Sequence, residues 1–164
     1  MLANPQQGWI DILYKITGFG THRLAQAGVG EKLGLLGPIG TPFHFTSAKK
    51  LLLLGGGVGI PPIILLAQQL HAQLPKRSVL ALLGSEIPFP FTARPSQLIL
   101  PSLPSELIAT MPLLEDWGIP NRLCSTQDFP GCFNGFVTDL AKIWLDKLQD
   151  EHRQQVEIFA CGPT

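Results

Sequence analysis

Lys49-Lys50-Leu51-Leu52-Leu53-Leu54 runs without a break into Gly55-Gly56-Gly57-Val58-Gly59-Ile60-Pro61-Pro62, and this junction constrains the fold more than any other part of the chain. An apolar run with no polar alternation reads as a strand buried on both faces, as in a parallel sheet covered by helices. Ile63-Ile64-Leu65-Leu66-Ala67-Gln68-Gln69-Leu70 continues as a helix, because proline in a first turn removes only N–H groups that lack an intrahelical partner. A strand that passes through glycines into a helix N-terminus offers backbone N–H groups and the positive end of a helix dipole, which suits a pyrophosphate. Residues 51–70 carry no formal charge and are long enough for a bilayer, but the glycines and adjacent prolines break such a span at its centre. From Gly57 the pattern is G-x-G-x-x-P, with Pro62 where the dinucleotide fingerprint has a small third residue. A plain strand-to-helix turn without a ligand stays open on these residues alone.

The pattern beyond residue 48 is βα. Strand 50–54 leads to helix 61–73, strand 78–83, helix 104–116, strand 121–125, helix 135–148 and strand 155–160. Alternation of this kind predicts an α/β fold, a Rossmann-like parallel sheet with helices on both faces and right-handed crossovers. In the last helix Val137, Leu140, Ala141, Trp144 and Leu148 share a stripe, while Asp139, Lys142, Asp146 and Lys147 stay outside it. That stripe reads as core rather than as part of a cofactor site. Residues 9–45 differ in style, with short β-like runs at Ile10–Ile16 and Lys32–Leu36 between glycines. The proline-rich passage 84–105 reads as a long loop near the adenosine half of a nucleotide.

The 164 residues support one full domain, or one domain with part of another. Charged residues make up only 15% and the formal charge is zero, which argues against nucleic acid as a partner and for a surface covered by another domain or chain. Cys124, Cys132 and Cys161 form no CxxC pair and have no zinc-like spacing with His22, His44, His71 or His152. No metal site and no catalytic acid, base or nucleophile is therefore assigned. The start shows no signal peptide, no membrane span is expected, and the unpatterned cysteines fit a cytoplasmic protein.

Three segments together resemble the ferredoxin–NADP reductase-like flavoproteins: the triple-glycine loop, Gly37-Pro38-Ile39-Gly40-Thr41-Pro42-Phe43 before it, and Cys161-Gly162-Pro163 after it. Within that family the chain is most similar to the electron-transfer subunits of bacterial dihydroorotate dehydrogenase, through Gly18-Phe19-Gly20-Thr21 and Gly135-Phe136-Val137-Thr138-Asp139-Leu140 as well. The resemblance implies that residues 1–47 are the C-terminal remnant of an antiparallel FAD-binding β-barrel. Residues 48–164 would form an NAD-binding domain cut short at its C-terminal end. It further implies that Gly18, Gly20 and Thr21 face the FAD pyrophosphate, and that Gly56, Gly57, Val58 and Gly59 face that of NAD(H). Cys161, Gly162 and Pro163 would lie beside the nicotinamide, where a small thiol packs without acting as a nucleophile. Ordinary turn residues and a buried structural cysteine remain the alternatives at Gly18–Thr21 and Cys161.

Glu86 follows the second strand, where a carboxylate accepts from a ribose 2′-OH and repels a 2′-phosphate; Arg94 nearby argues for NADP, and NAD is preferred. The implied activity is hydride exchange between NAD(H) and FAD, with electrons passing through a [2Fe–2S] centre to a catalytic dehydrogenase subunit of a hetero-oligomer serving pyrimidine biosynthesis. A sulfhydrogenase gamma-like reductase subunit and a non-catalytic nucleotide-binding module are the alternatives. The family's flavin-holding arginine motif and its iron–sulfur cysteine cluster have no counterpart in these residues, so only a partial FAD site is expected. The family's T-D-D-G-like segment is also altered here, to Ser125-Thr126-Gln127-Asp128-Phe129-Pro130-Gly131.

Overall fold

In the computed structural model, which describes residues 2–37, 39–45, 47–71 and 77–163, the apolar run becomes an interior strand of a five-stranded parallel sheet. Pro38 of the Gly37-Pro38 turn lies outside the described residues, as do the last two positions of the helix expected over 61–73. The elements in chain order are β1 (Leu2–Asn4), β2 (Trp9–Asp11), α1 (Phe19–Ala25), β3 (Lys50–Gly56), α2 (Ile60–His71), β4 (Ser78–Gly84) and β5 (Arg94–Pro95). They continue with β6 (Ala109–Thr110), α3 (Pro112–Asp116), β7 (Asn121–Ser125), β8 (Phe133–Asn134), α4 (Val137–Asp146), α5 (Asp150–Arg153) and β9 (Val156–Cys161). The sheet order is β8-β7-β4-β3-β9, with every adjacent pair parallel.

Side chains alternate across β3 and divide the core in two. Leu51 and Leu53 pack with Ile63, Leu66 and Leu70 of α2, whereas Leu52 and Leu54 pack with Leu80, Leu82 and Leu140 and Ala141 of α4. The stripe read on α4 is core, with Val137 and Trp144 half-buried beside Leu140. One helix on each face is what a strand with no polar alternation requires. The registers bring Gly55 level with Cys161 and Gly56 level with Gly84, so the strands β9, β3 and β4 end along one line.

The helix expected over 104–116 is confined to Pro112–Asp116. Ala109 and Thr110 are extended and pair antiparallel with Pro95 and Arg94, and Met111 precedes a proline that disfavours helical backbone before it. Pro112 then opens a short helix from its first turn. A buried polar network orders the passage before it. The Glu115 carboxylate accepts from Ser96 Oγ at 3.0 Å, from Gln97 N at 2.6 Å and from Leu98 N at 3.1 Å. Arg122 donates to Ser96 Oγ at 3.0 Å, to Leu98 O at 2.9 Å and to Asn121 O at 2.7 Å.

Before the sheet, β1 and β2 form an antiparallel pair, and Phe43 and Phe45 set their rings edge-on against Phe159 at 5.5 and 5.7 Å. The ladder expected over Ile10–Ile16 stops at Asp11, and Lys32–Leu36 forms none, because no further described strand lies alongside to pair with them. Helix α1 buries no residue. Phe19, Val29, Leu35, Leu36 and Ile39 are all strongly exposed.

Candidate nucleotide cleft

The C-terminal ends of β3, β4, β7 and β9 open onto one cleft of about 940 Å³. Ligands in open α/β sheets bind at this end of the strands. The turn from β3 into α2 supplies Gly56, Gly57 and Val58, the end of β4 supplies Glu86, and the tripeptide at the end of β9 supplies Cys161, Gly162 and Pro163. These sequence-predicted residues therefore share one site. Gly57 has φ +52°, the left-handed region, and a Cβ placed on it would meet nothing within 4 Å. Its backbone conformation, not crowding, calls for glycine, and the chain there stays open to a ligand. No acidic residue occupies the first turn of α2 to offset the positive end of the helix.

Four predicted residues lie outside the lining of this cleft. Gly59 is buried beneath Cys161 and Gly162, while Gly18, Gly20 and Thr21 open α1 elsewhere. The Thr21 hydroxyl is engaged in its own turn: it accepts from Thr17 N at 3.0 Å and Gly18 N at 3.1 Å, and donates to Gly18 O at 3.0 Å. These three residues form a helix start whose hydroxyl is already used.

Other lining residues were not assigned from the sequence. Ser85, Ile87, Pro88 and Pro90 come from the proline-rich passage, and Ser125 and Thr126 from the end of β7. The strand-end rule that placed Cys161 also applies to Ser125, which is the last residue of a predicted strand. Phe136, Val137 and Thr138 bring the N-terminus of α4 to the cleft, where Asp139 accepts from the Phe136 N–H at 3.2 Å. The Gly135–Leu140 motif flagged that segment without signalling contact. Leu13, Tyr14 and Lys15 reach the cleft from the N-terminal segment, which only tertiary packing reveals.

Lys15 and Glu86 are the charged residues among those lining the cleft, and no histidine is among them. Arg94, the nearby cation, is not a lining residue: it forms an ion pair with Asp116 and donates to the Pro112 carbonyl at 3.3 Å. Ser85 Oγ donates to Ile87 O at 2.7 Å and accepts from Ile87 N at 3.3 Å, which holds the turn carrying Glu86. Burial pushes the Cys124 thiol up to about 12, with Cys132 and Asp139 adding to it, and burial also raises Cys132. Neither thiol lines the cleft, whereas Cys161 does. Among the described residues no group of three His, Cys, Asp or Glu is placed to hold a metal ion, and no helix is long and apolar enough to cross a membrane.

No family model matches the chain. Over 62 residues it is 44% identical to the electron transfer subunit of dihydroorotate dehydrogenase B (NAD(+)) from Caldanaerobacter subterraneus subsp. tengcongensis, a match covering 38% of this chain and 25% of that protein. The same subunit from Shouchella clausii is 39% identical over 70 residues, covering 41% and 27%. That from Streptococcus mutans is 42% identical over 62 residues, covering 36% and 24%. The matches thus span about a quarter of the length of these relatives. Among solved structures, that of an NADH-dependent reduced ferredoxin–NADP oxidoreductase, described in connection with flavin-based electron bifurcation, superposes with a TM-score of 0.58 at 23% identity. It covers 92% of this chain and 45% of that one.

Proposed function

We propose that this chain, which has the ferredoxin reductase-like fold and shares sequence with dihydroorotate dehydrogenase electron-transfer subunits, is the nicotinamide-nucleotide half of a flavoprotein reductase. One observation carries the reading: a single cleft joins the glycine turn, Glu86 and Cys161-Gly162-Pro163 with Leu13-Tyr14-Lys15 of the segment expected to serve the flavin. Its volume suits a dinucleotide, and the left-handed, uncrowded Gly57 beside the α2 N-terminus suits a pyrophosphate.

In this reading Gly56, Gly57 and Val58 donate backbone N–H groups to the pyrophosphate of NAD(H). Glu86 accepts from the adenosine ribose and disfavours a 2′-phosphate, and Arg94 is drawn away to Asp116, so NAD(H) is preferred to NADP(H). Cys161, Gly162 and Pro163 flank the nicotinamide, while Ile87, Pro88 and Phe136 provide apolar surface that excludes water. When bound, the nicotinamide and a flavin supply hydride exchange; the chain supplies alignment and needs no acid or base of its own. Residues 1–47 belong to the flavin part and 48–164 to the nucleotide part. The whole protein passes electrons through an iron–sulfur centre to a dehydrogenase subunit in the cytoplasm, in pyrimidine biosynthesis.

A second reading, a nucleotide-binding module without turnover, is favoured by the Thr21 hydroxyl, which its own turn already uses. Absorbance of the purified chain separates the two. A flavin spectrum that NADH bleaches supports the reductase, and a colourless chain that binds NADH supports the module. Failure to bind either nicotinamide nucleotide at millimolar concentration defeats both. Gly57→Val should abolish NADH binding, since a branched side chain is strained at this φ and blocks the approach to the backbone.

A further inference from the structure

Two loops meet backbone to backbone at the floor of the cleft. One is the turn from β3 to α2, with Gly56 and Gly59; the other is the tripeptide Cys161-Gly162-Pro163. A Cβ on Gly59 would overlap the carbonyl of Cys161 and sit 2.6 Å from the Gly162 nitrogen. A Cβ on Gly162 would lie 3.2 Å from the Gly56 Cα and 3.3 Å from the Gly56 nitrogen and oxygen. Gly59 is not among the residues of left-handed φ, so closeness alone excludes a side chain there. Gly57, two residues earlier, is the reverse case: its φ calls for glycine while the space around it is empty.

We propose that Gly59 is a positioning residue, which holds Cys161 and Gly162 against the glycine turn without itself touching the bound nucleotide. The spacing between the pyrophosphate end and the Cys161 end of the site is then set by backbone against backbone, with no side chain to adjust it. Interiors packed this closely transmit a displacement instead of absorbing it. A methyl group at Gly59 therefore has one way out, which is to push the tripeptide away from the turn and toward solvent. Cys161, half-buried in the native chain, becomes more accessible as a result.

The inference rests on the nucleotide reading only for what occupies the cleft, so the experiment begins without nucleotide. Alkylation of the purified chain by iodoacetamide is followed at each cysteine by peptide mass spectrometry. Cys124 is fully buried, with its thiol pushed up to about 12, and serves as the internal reporter of an intact core. Gly59→Ala and Gly162→Ala should speed alkylation of Cys161 several-fold while Cys124 stays unmodified. Gly28→Ala, exposed and with nothing within 4 Å of its Cβ, should change neither. An unchanged Cys161 rate in folded Gly59→Ala overturns the proposal. If Gly59→Ala exposes Cys124, the milder Gly162→Ala decides, and exposure of Cys124 in both also overturns it, since the glycines would then serve the core. Saturating NADH should slow Cys161 alkylation in the native chain. If it does not, while Gly59→Ala still speeds it, the interlock stands and the nucleotide reading falls.

Discussion

At the scale of single residues, the expected positions that the fold gathers into the cleft are mostly those at strand ends. Gly56, Gly57, Val58, Cys161, Gly162 and Pro163 lie at strand ends, and strand ends are legible as the close of an apolar run. Arg94 was not legible in this way, because its partner Asp116 is distant in sequence and only the fold brings the two together. Cys124 allows a prediction that depends on pH. An unfolded thiol loses its proton near pH 9, whereas the native one holds it to about 12. The native state therefore keeps its full advantage below pH 9 and loses it progressively as the pH rises toward 12, by a few kcal/mol. Urea midpoints measured across this range should fall steeply for the native chain and less steeply for Cys124→Ala.

At the scale of elements, β3, β4, β7 and β9 lie within two residues of their predicted bounds; β3 and β4 are apolar runs buried in the parallel sheet, whereas β7 is buried with polar residues and β9 is an edge strand that buries Phe159 and leaves Ile158 exposed. Between Gly84 and Met111 the irregular course of 84–105 was legible but its ordering was not, since that order comes from side chains bonding to irregular backbone and leaves no periodicity. Glu115 and Arg122 are its two anchors, and burial lowers the Arg122 pKa while Glu115 opposes that shift. Glu115→Ala should cost about 2 kcal/mol by leaving the Gln97 N–H without an acceptor and by removing the carboxylate whose charge favours the Arg122 guanidinium, read as a lower melting temperature. The double variant Glu115→Leu with Arg122→Met should lose less than the sum of the single changes, because both residues hold the same Ser96–Leu98 stretch and their charges interact. Additive losses would show that the two residues act independently.

At the scale of the whole molecule, the apolar side chains of the N-terminal segment contrast with the closed core of the sheet. Leu35 is 72% exposed, Leu36 87% and Phe19 84%, a concentration of exposed apolar surface unusual for a lone monomer. The native chain should bind 8-anilinonaphthalene-1-sulfonate without denaturant, and Leu35→Lys with Leu36→Lys should reduce that fluorescence while leaving the melting temperature unchanged. The sheet order carries a consequence for folding. β3 pairs with β4 after one short crossover, but its other neighbour, β9, enters about a hundred residues further along the chain. Loop closure of that length is slow and is repaid only once the pairing forms. The interlock of Gly59 with Cys161 and Gly162 depends on this pairing, so the cleft is a late product of folding. In stopped-flow refolding, helical signal should recover before Cys161 gains its native protection from alkylation. Any intermediate trapped between the two would carry a finished α2 face and an open edge along β3, which makes that edge the point where a chaperone or an aggregate gains its hold.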